Sequence, residues 1–209
     1  MHDRSRAMSD LMASHRSIRA FESRDIDPAM LDEVLAQAFA GASSSGNLNM
    51  VSVVRTRSAD GRQRLWELHK RQDMILQAPL VLTFCADTHR TRRWLAHRGA
   101  RLNFGNLLGY HVAAFDAIIV AQTVALALES RGLGICYMGT TLHAMRGIAD
   151  VLALPSHCLP VTSLVVGWPA EAPAARDRLP LRAWCHDEHY REPSEEDIER
   201  DYGPREARN

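Results

Sequence analysis

The feature that most constrains the fold is a run of mostly apolar residues from His111 to Arg131, which predicts one long helix. Alanines occupy many positions between its larger side chains, so the helix is apolar nearly all round. A helix of this kind is usually central, buried against a sheet or a subunit partner. Gly132 supplies the left-handed residue that ends it. The predicted core stripe consists of Val112, Phe115, Ile118, Ile119, Gln122, Ala125 and Leu126.

The composition argues against several classes of protein. The 209 residues are 46% hydrophobic and carry a formal net charge of zero. These values fit one domain, or at most two small ones, and argue against a nucleic-acid partner. The most apolar stretch, residues 117–128, is shorter than the roughly 20 residues that a membrane span needs. The N-terminus shows no apolar signal segment and the four cysteines form no C-x-x-C pair, so we expect a reducing cytoplasm.

Caps and short apolar runs predict the other elements. Asp27 and Pro28 begin a helix that ends near Gly41. Its predicted apolar face consists of Leu31, Val34, Leu35, Ala38 and Phe39. The predicted strands are 50–55, 79–85 and 161–168, and the further helices are 62–72 and 142–152. The segment 88–110 is rich in Arg and Gly, and we predict an irregular, mobile lid there.

These elements interleave without a regular βαβ rhythm, and we predict a single domain over residues 1–190 with a charged tail at 191–209. No G-x-G-x-x-G follows a strand and no G-x-x-x-x-G-K-[ST] occurs, so a Rossmann or P-loop site is not supported. His186, Asp187, Glu188 and His189 could suggest a metal-dependent hydrolase. Without an H-E-x-x-H pattern, surface histidines explain that cluster better, and we predict no metal site.

Two polar segments in the first quarter of the chain could hold a ligand. The segment His15-Arg16-Ser17-Ile18-Arg19 places two forked cations beside a hydroxyl and an imidazole, a set that suits a phosphate or another anion. Taken alone, a solvated basic turn explains it slightly better. In the segment 43–49, S-S-S-G-N-L-N, hydroxyls and amides surround a flexible glycine. An ordinary loop is the better explanation of that segment by itself.

Two later segments add weaker signals. Residues 132–139, G-L-G-I-C-Y-M-G, allow the backbone to approach a flat ring, although a helix end followed by a strand explains them equally well. Residues 176–180, R-D-R-L-P, bring two more arginines at short spacing.

Taken in order, these segments resemble a known family. H-R-S-I-R, S-S-S-G-N-L-N, R-Q before a strand, G-L-G-I-C-Y-M-G, V-G-W-P-A and R-L-P follow one another as in the FMN-dependent nitroreductases. The nearest branch is that of the oxygen-insensitive NADPH nitroreductases and flavin reductases. The resemblance implies an α+β fold, a three-layer α/β/α arrangement with a central mixed, mainly antiparallel sheet. It also implies an intertwined homodimer with FMN at the subunit interface.

The resemblance assigns FMN-binding roles to sixteen residues and requires no catalytic side chain, because the flavin carries the hydride chemistry. The phosphate and the pyrimidine edge fall to the first segment, the ring to residues 137–140, and the late arginines close on the phosphate. The implied cofactor-binding residues are His15, Arg16, Ser17, Arg19, Ser43, Ser44, Ser45, Asn47, Asn49, Gln72, Tyr137, Met138, Gly139, Thr140, Arg176 and Arg178.

The implied reaction passes electrons from NADPH or NADH through FMN to a nitroaromatic, quinone or flavin acceptor by a ping-pong mechanism. A flavin-binding protein with another redox role, of dehydrogenase type or of low turnover, is the alternative on the same fold. Asn49 stands where relatives commonly have Gln, and Thr140 replaces a Gly. Relatives extend well beyond the position of Tyr190 with basic residues that hold the NADPH phosphate, so the choice of reductant stays open.

Overall fold

The computed structural model describes residues 2–206, with side chains from residue 7 onward. The described residues fall into two compact units, one ending at Pro173 and one beginning at Ala174. This division lies upstream of the boundary that the sequence predicted after residue 190. The helices are α1 His2–Ser14, α2 Pro28–Phe39, α3 Ala59–Leu68, α4 Met74–Gln77, α5 Thr88–His97, α6 Leu107–Glu129, α7 Met145–Val151 and α8 Glu195–Glu206. The strands are β1 Val51–Thr56, β2 Leu80–Asp87, β3 Gly134–Tyr137 and β4 Cys158–Gly167.

The four strands form one sheet in the order β1-β2-β4-β3, and every neighbouring pair is antiparallel. All eight residues of β2 are buried, as its continuous apolar run predicted. Successive residues of the inner strands point to opposite faces. Leu80, Leu82 and Phe84 join one apolar cluster with α2 and α6, whereas Val81 joins a second cluster with α3, α4 and α7. The sheet is therefore the middle layer of three.

The cap at the start of α2 confirms the sequence prediction. The Asp27 carboxylate accepts a hydrogen bond from the backbone N–H of Ala29, and Pro28 is the first helical residue. Leu31, Val34 and Ala38 are buried as predicted. Phe39 is 40% exposed, so its assignment to the core face was wrong.

The long helix α6 exists and Gly132 ends it with φ +81°, but the predicted core stripe was wrong. Only Ala125 of that stripe is buried, whereas Phe115 is 57% exposed and Ile118 is 46% exposed. The side of α6 that meets the sheet is made largely of small residues, among them Ala113, Ala117 and Ala121, because small side chains let the helix backbone lie close to the strands. Size therefore separates the two faces of a helix that hydrophobicity alone cannot divide.

By length and hydropathy, α6 is the one described helix that could cross a membrane. Since nine of its residues are buried in the fold and a core helix has the same composition, this is weak support for a span.

The segment 88–110 is mostly helical, so its predicted irregularity was wrong, whereas its mobility and its role as a lid stay predictions. Residues 88–97 form α5, and α6 begins at Leu107, so only 98–106 is irregular. The carboxylate of Asp87 starts α5 by accepting a hydrogen bond from the Arg90 N–H at 3.1 Å. The arginines of this segment are good helix formers, and their charge reflects the solvent-exposed face of a helix.

Candidate functional site

The segment 15–19 is fixed against the edge strand β3. The Ile18 N–H donates to the Ile135 carbonyl at 2.9 Å, which sets Ser17 beside β3 in a parallel bridge. Ile18 packs directly on Gly134, where an added Cβ would lie 2.7 Å from the Ile18 Cγ1 atom. Gly134 is therefore required for the segment to approach the strand this closely.

The arginines of this segment are free to meet an anion. Arg16 Nη1 donates to the backbone carbonyls of Ala13 at 3.1 Å and His15 at 2.7 Å, and Arg19 Nη1 reaches the Ser17 carbonyl at 3.4 Å. Among the described residues, neither guanidinium forms an ion pair with a carboxylate. Two guanidinium groups without an ion-pair partner on one short segment have the chemistry to bind an anion.

Two carboxylates shape that site. His15 Nδ1 lies 2.6 Å from Glu129 Oε1 at the C-terminal end of α6, which orients the imidazole. Glu171 accepts hydrogen bonds from the backbone N–H groups of Arg19 and Ala20. Because Glu171 occupies these backbone donors, an anion here would be held by side chains. The adjoining cleft of about 410 Å³ is lined by Arg16, Ile18 and Glu171 among others.

The serine loop is organised by a carboxylate that the sequence analysis did not single out. Asp116 on α6 is 1% exposed. Its Oδ1 atom accepts from the Ser44 N–H at 2.7 Å and the Ser43 hydroxyl at 3.2 Å, and its Oδ2 atom accepts from the Met50 N–H at 2.8 Å. The Ser44 hydroxyl donates to the Val112 carbonyl, whereas Ser45 is exposed. Asp116 therefore sets the conformation of the loop.

The two asparagines of this loop adopt left-handed backbone conformations, with φ +52° at Asn47 and +50° at Asn49. Asn49 Nδ2 donates to the carbonyl of Asn47 at 2.9 Å and to its side-chain oxygen at 3.0 Å. Arg90 Nη2 on α5 donates to the Asn49 carbonyl at 2.5 Å and to the Val51 carbonyl at 2.9 Å. The amide end of the loop is thereby tied to the start of β1.

The end of β3 presents an open backbone face. The Met138 N–H donates to the Ser163 carbonyl at 2.9 Å, and its side chain is buried. The Tyr137 hydroxyl donates to Gln122 Oε1 at 3.1 Å, and burial, reinforced by the charge of Glu129, raises the pKa of Tyr137 to about 12. Gly139 is exposed, and among the described residues no atom beyond Gly139 and its two chain neighbours lies within 4 Å of where a Cβ would stand. A planar group can approach the backbone there.

Gln72 and Thr140 lie together beside this face. Gln72 Nε2 donates to the His69 carbonyl at 3.0 Å and lies 3.5 Å from the Thr140 hydroxyl. His69 Nδ1 is 2.6 Å from the same hydroxyl, and burial lowers the pKa of His69 to about 4. Gln72 itself falls after α3 has ended at Leu68, so the predicted helix 62–72 is four residues too long at this end.

The late arginines belong to the second unit, where Arg176 and Arg178 are both exposed. Arg178 Nη1 donates to the Asp177 carbonyl at 3.3 Å. Their role in phosphate binding stays a prediction. In the described part of the chain, no group of three or more His, Cys, Asp or Glu side chains is arranged to hold a metal ion.

The predicted ligand-binding residues form two groups within the first unit. His15 contacts Glu129 near the end of α6, and Ser44 contacts Asp116 nearer its start. At the ordinary rise per residue, these contact points are about 20 Å apart along the helix axis. The first segment, by contrast, shares β3 with Tyr137. One chain therefore brings the first segment and the β3 face together and leaves its serine loop apart.

Comparison with known proteins identifies the family. The family model described as the Nitroreductase family matches residues 12–168, which include both groups. The chain belongs to the Nitroreductase family. This membership confirms the resemblance, and the observed α+β layers and antiparallel sheet confirm the fold that it implied.

Several nitroreductase-family relatives match most of the chain. An FMN reductase [NAD(P)H] of Bacillus subtilis is 33% identical over 181 residues, which are 86% of this chain and 72% of the relative. An oxygen-insensitive NADPH nitroreductase of Salmonella typhimurium is 32% identical, over 87% of this chain and 73% of the relative. The structure of the NADPH:FMN oxidoreductase from Vibrio harveyi complexed with NAD+ aligns with a TM-score of 0.87 at 28% identity, over 96% of this chain and 85% of the other.

The residues of this nitroreductase-family chain fit an FMN-sized anion with a flat ring. Arg16 and Arg19 offer unpaired cations for a phosphate, and Gly139 leaves an open backbone face for a ring. The negative charge of Glu171 would repel a phosphate, since this carboxylate lies beside the same segment.

Asp116 and His69, which contact the serine loop and Thr140, were not among the residues predicted from the sequence. Asp116 could have been found, because a lone carboxylate inside an apolar helix needs hydrogen-bond partners when it is buried. His69 carries no such signal, since its position in a charged stretch, L-H-K-R-Q, suggests a solvated side chain.

Proposed function

We propose that the chain binds FMN and is an oxidoreductase that uses NADPH or NADH as its reductant. One observation carries the proposal: the segment with the unpaired arginines Arg16 and Arg19 pairs with β3, and the open backbone at Gly139 follows that strand by two residues. Membership of the Nitroreductase family, with relatives named FMN reductase and NADPH nitroreductase, supports it.

In this proposal bound FMN would supply the hydride and electron chemistry between the nicotinamide and a second substrate. Arg16 and Arg19, helped by the Ser17 hydroxyl and His15, hold the phosphate. The backbone from Tyr137 to Thr140 would lie against the ring. Tyr137 is protonated at neutral pH and, because burial raises its pKa to about 12, stays so in alkaline solution, so its hydroxyl can keep donating to Gln122.

Purified protein reconstituted with FMN tests the binding. We expect about one FMN per subunit and bleaching of the flavin absorbance near about 450 nm by NADPH or NADH under anaerobic conditions. Arg16→Gln and Arg19→Gln should each weaken FMN binding by about tenfold or more, the effect of losing one charge-assisted contact. Arg64→Gln, which removes an exposed arginine of α3, serves as the control.

Protein that cannot be loaded with FMN would overturn the proposal. Flavin that binds but is bleached by neither reductant would favour the alternative, a flavin-binding protein with another redox role. The ratio of the bleaching rates with NADPH and NADH decides which reductant is preferred.

We further propose that the working unit is a homodimer. The outer face of α6 exposes Phe115 and Ile118, and a surface of this kind on a central helix suits a partner subunit. A second copy also supplies the serine loop that one chain leaves about 20 Å away along α6. In such a dimer the serines, Asn47 and Asn49 of one subunit face the arginine segment of the other.

Sedimentation of the FMN-loaded protein tests the assembly. A dimer is expected at micromolar concentration, and Phe115→Arg should produce folded monomers that no longer retain FMN. Met12→Arg, at an exposed apolar residue of α1, is the matched control. A monomer that binds FMN as tightly as the wild type would exclude the shared site.

The electron acceptor is proposed by class: a nitroaromatic, a quinone or a free flavin, reduced after the nicotinamide has left. Parallel lines in double-reciprocal plots would support this ping-pong order, and intersecting lines would contradict it. We place the protein in the cytoplasm, which is consistent with four free cysteines, Cys85, Cys136, Cys158 and Cys185, in the described chain.

A further inference from the structure

The turn after α3 brings an imidazole and an amide to one hydroxyl. Lys70 and Arg71 both have φ +56°, so two successive left-handed residues reverse the chain. The reversal lets Gln72 reach back to the His69 carbonyl. Two non-glycine residues in this conformation cost conformational energy, which the contacts of the turn must offset.

His69 is fully buried and only half satisfied. Its Nδ1 atom lies 2.6 Å from Thr140 Oγ1, and its Nε2 atom has no hydrogen-bond partner among the described residues. Burial lowers the pKa of His69 to about 4, so the ring is neutral at physiological pH and carries one N–H. At neutral pH His69 therefore acts as a neutral imidazole that can donate one hydrogen bond.

The position of that one proton decides what Thr140 can do. If Nε2 carried it, a buried N–H would have no acceptor, which is rarer in folded proteins than an unfilled acceptor. If Nδ1 carries it, Nδ1–H donates to Thr140 Oγ1 and the bare Nε2 lone pair is the unsatisfied atom. The second arrangement costs less. The Gln72 amide, 3.5 Å from Oγ1, adds a weaker donor to the same oxygen.

We propose that His69 is a positioning residue that turns the Thr140 hydroxyl into a hydrogen-bond donor toward the flavin ring. With Nδ1–H and the Gln72 amide directed at its oxygen, the hydroxyl hydrogen points away from the protein interior. Thr140 is half-buried and follows the open backbone of Gly139, so this outward side is where the ring is proposed to lie. The inference rests on the proposed FMN site and specifies a residue pair within it.

A donor aimed at an acceptor atom of the ring stabilises added electrons and so favours reduction of the flavin. The expected consequence is a higher midpoint potential than in a variant without the donor. Loss of one hydrogen bond changes the reduction equilibrium by about tenfold, which is about 30 mV for a two-electron couple.

The experiment compares variants of the FMN-loaded protein by midpoint potential and visible flavin spectrum. Thr140→Val removes the hydroxyl and keeps the shape, and His69→Leu removes its partner. Both should lower the potential by about 30 mV, and the double variant should lower it no further. His69→Asn, whose amide can replace the Nδ1–H donor, should restore most of the potential.

Thr141→Val is the matched control. Thr141 is fully buried and its hydroxyl donates to Ser163 Oγ at 3.2 Å within the fold. Its loss should lower thermal stability and leave the potential unchanged. If His69→Leu behaves like this control, with lower stability and a wild-type potential and spectrum, His69 has a structural role only and the inference is wrong.

Nitrogen-15 NMR of the imidazoles separates this inference from the function on which it rests. The signal lost in His69→Asn should show an Nδ1–H tautomer, with or without FMN. An Nε2–H tautomer in a protein that binds FMN normally would overturn the inference alone. A protein that cannot be loaded with FMN would overturn the proposed function, and the donor to the ring with it.

Discussion

The two compact units of the chain are built on opposite principles. In the unit that ends at Pro173, all eight residues of β2 are buried and apolar clusters cover both faces of the sheet. In the unit that begins at Ala174, the one buried residue among those described is a carboxylate, Asp201. Arg182 pairs with one oxygen of Asp201 and Arg200 lies 3.0 Å from the other. Aliphatic packing holds the first unit, and arginine–carboxylate pairs hold the second.

The same pairs extend across the second unit. Asp197 lies 2.7 Å from Arg200 and 2.8 Å from Arg191. A hydrogen bond from Ser194, followed by those from the arginines, lowers the pKa of Asp197, and the bond from Arg200 lowers the pKa of Asp201. A unit below about 40 residues cannot bury enough apolar surface to be stable alone. We therefore expect its order to depend on salt, and that of the first unit to be insensitive to it.

Among the substitutions that test this difference between the two units, Phe84→Ala is expected to have the largest effect on the free energy of unfolding. Phe84 is fully buried in β2, so the change should lower the free energy of unfolding by about 3–5 kcal/mol. Leu181→Ala in the second unit removes a side chain that is 64% exposed and should change it by less than about 0.5 kcal/mol. Urea denaturation at one fixed protein concentration measures both. Similar losses at the two positions would refute the contrast.

The next largest effect is a loss of folding stability at low pH, caused by the buried His69. The pKa of His69 is about 4 in the folded protein against an ordinary value of 6.5, so the unfolded chain takes up the proton first as the pH falls. The contribution of neutral His69 to the free energy of unfolding is therefore fully present above pH 6.5 and is lost as the pH falls toward 4. The loss is about 3 kcal/mol at about 1.4 kcal/mol per pH unit.

In His69→Leu this part of the pH dependence should disappear. Urea titrations of both proteins at several pH values between neutrality and the acid limit provide the measurement. An identical pH slope in the two proteins would show that His69 is not buried in its neutral form.

A smaller effect is expected for Asp116→Asn. An asparagine keeps one acceptor oxygen but turns an N–H₂ group toward the donors of Ser44 or Met50, which should cost about 2 kcal/mol. Asp32→Asn is the control, since Asp32 is an exposed partner of Arg55 and should cost less than about 1 kcal/mol. Equal effects would mean that the loop does not depend on Asp116.

The smallest effect is expected for Asp201→Asn in the second unit. Hydrogen exchange of residues 191–206 should become faster, and exchange of the sheet should not change. In about 1 M salt, where the Debye length is about 3 Å, the wild type should lose part of the same protection. Protection that is independent of salt would show that the ion pairs do not order this unit.

Local signals allowed much of the fold to be predicted. The Asp27 cap and Pro28 fixed the start of α2, and the unbroken apolar run of β2 indicated a strand buried on both faces. Such signals depend on neighbouring residues alone. The orientation of α6 depends on tertiary packing, because the helix is apolar all round and its alanine face is buried only because the sheet approaches closely there.

The site was predicted as a set of segments, and their arrangement was not predicted. H-R-S-I-R could be recognised, but nothing local reveals that Ile18 bonds to Ile135 or that Glu171 occupies the N–H groups of Arg19 and Ala20. These contacts join residues more than a hundred positions apart. The prediction for segment 88–110 was wrong although its signal is local. Its many charges were taken for an irregular segment, and the helix that Asp87 caps was overlooked.

The separation of the arginine segment and the serine loop along α6 predicts how mutant alleles of this protein behave when they are expressed together. In the proposed symmetric dimer with two shared pockets, each pocket would take its arginine segment from one subunit and its serine loop from the other. A subunit with a damaged loop, such as Asp116→Asn, and a subunit with a damaged arginine segment, such as Arg19→Gln, are each defective in their own homodimers. When both are made in one cell, the mixed dimer has one pocket with two intact halves, so the two mutant alleles should complement each other.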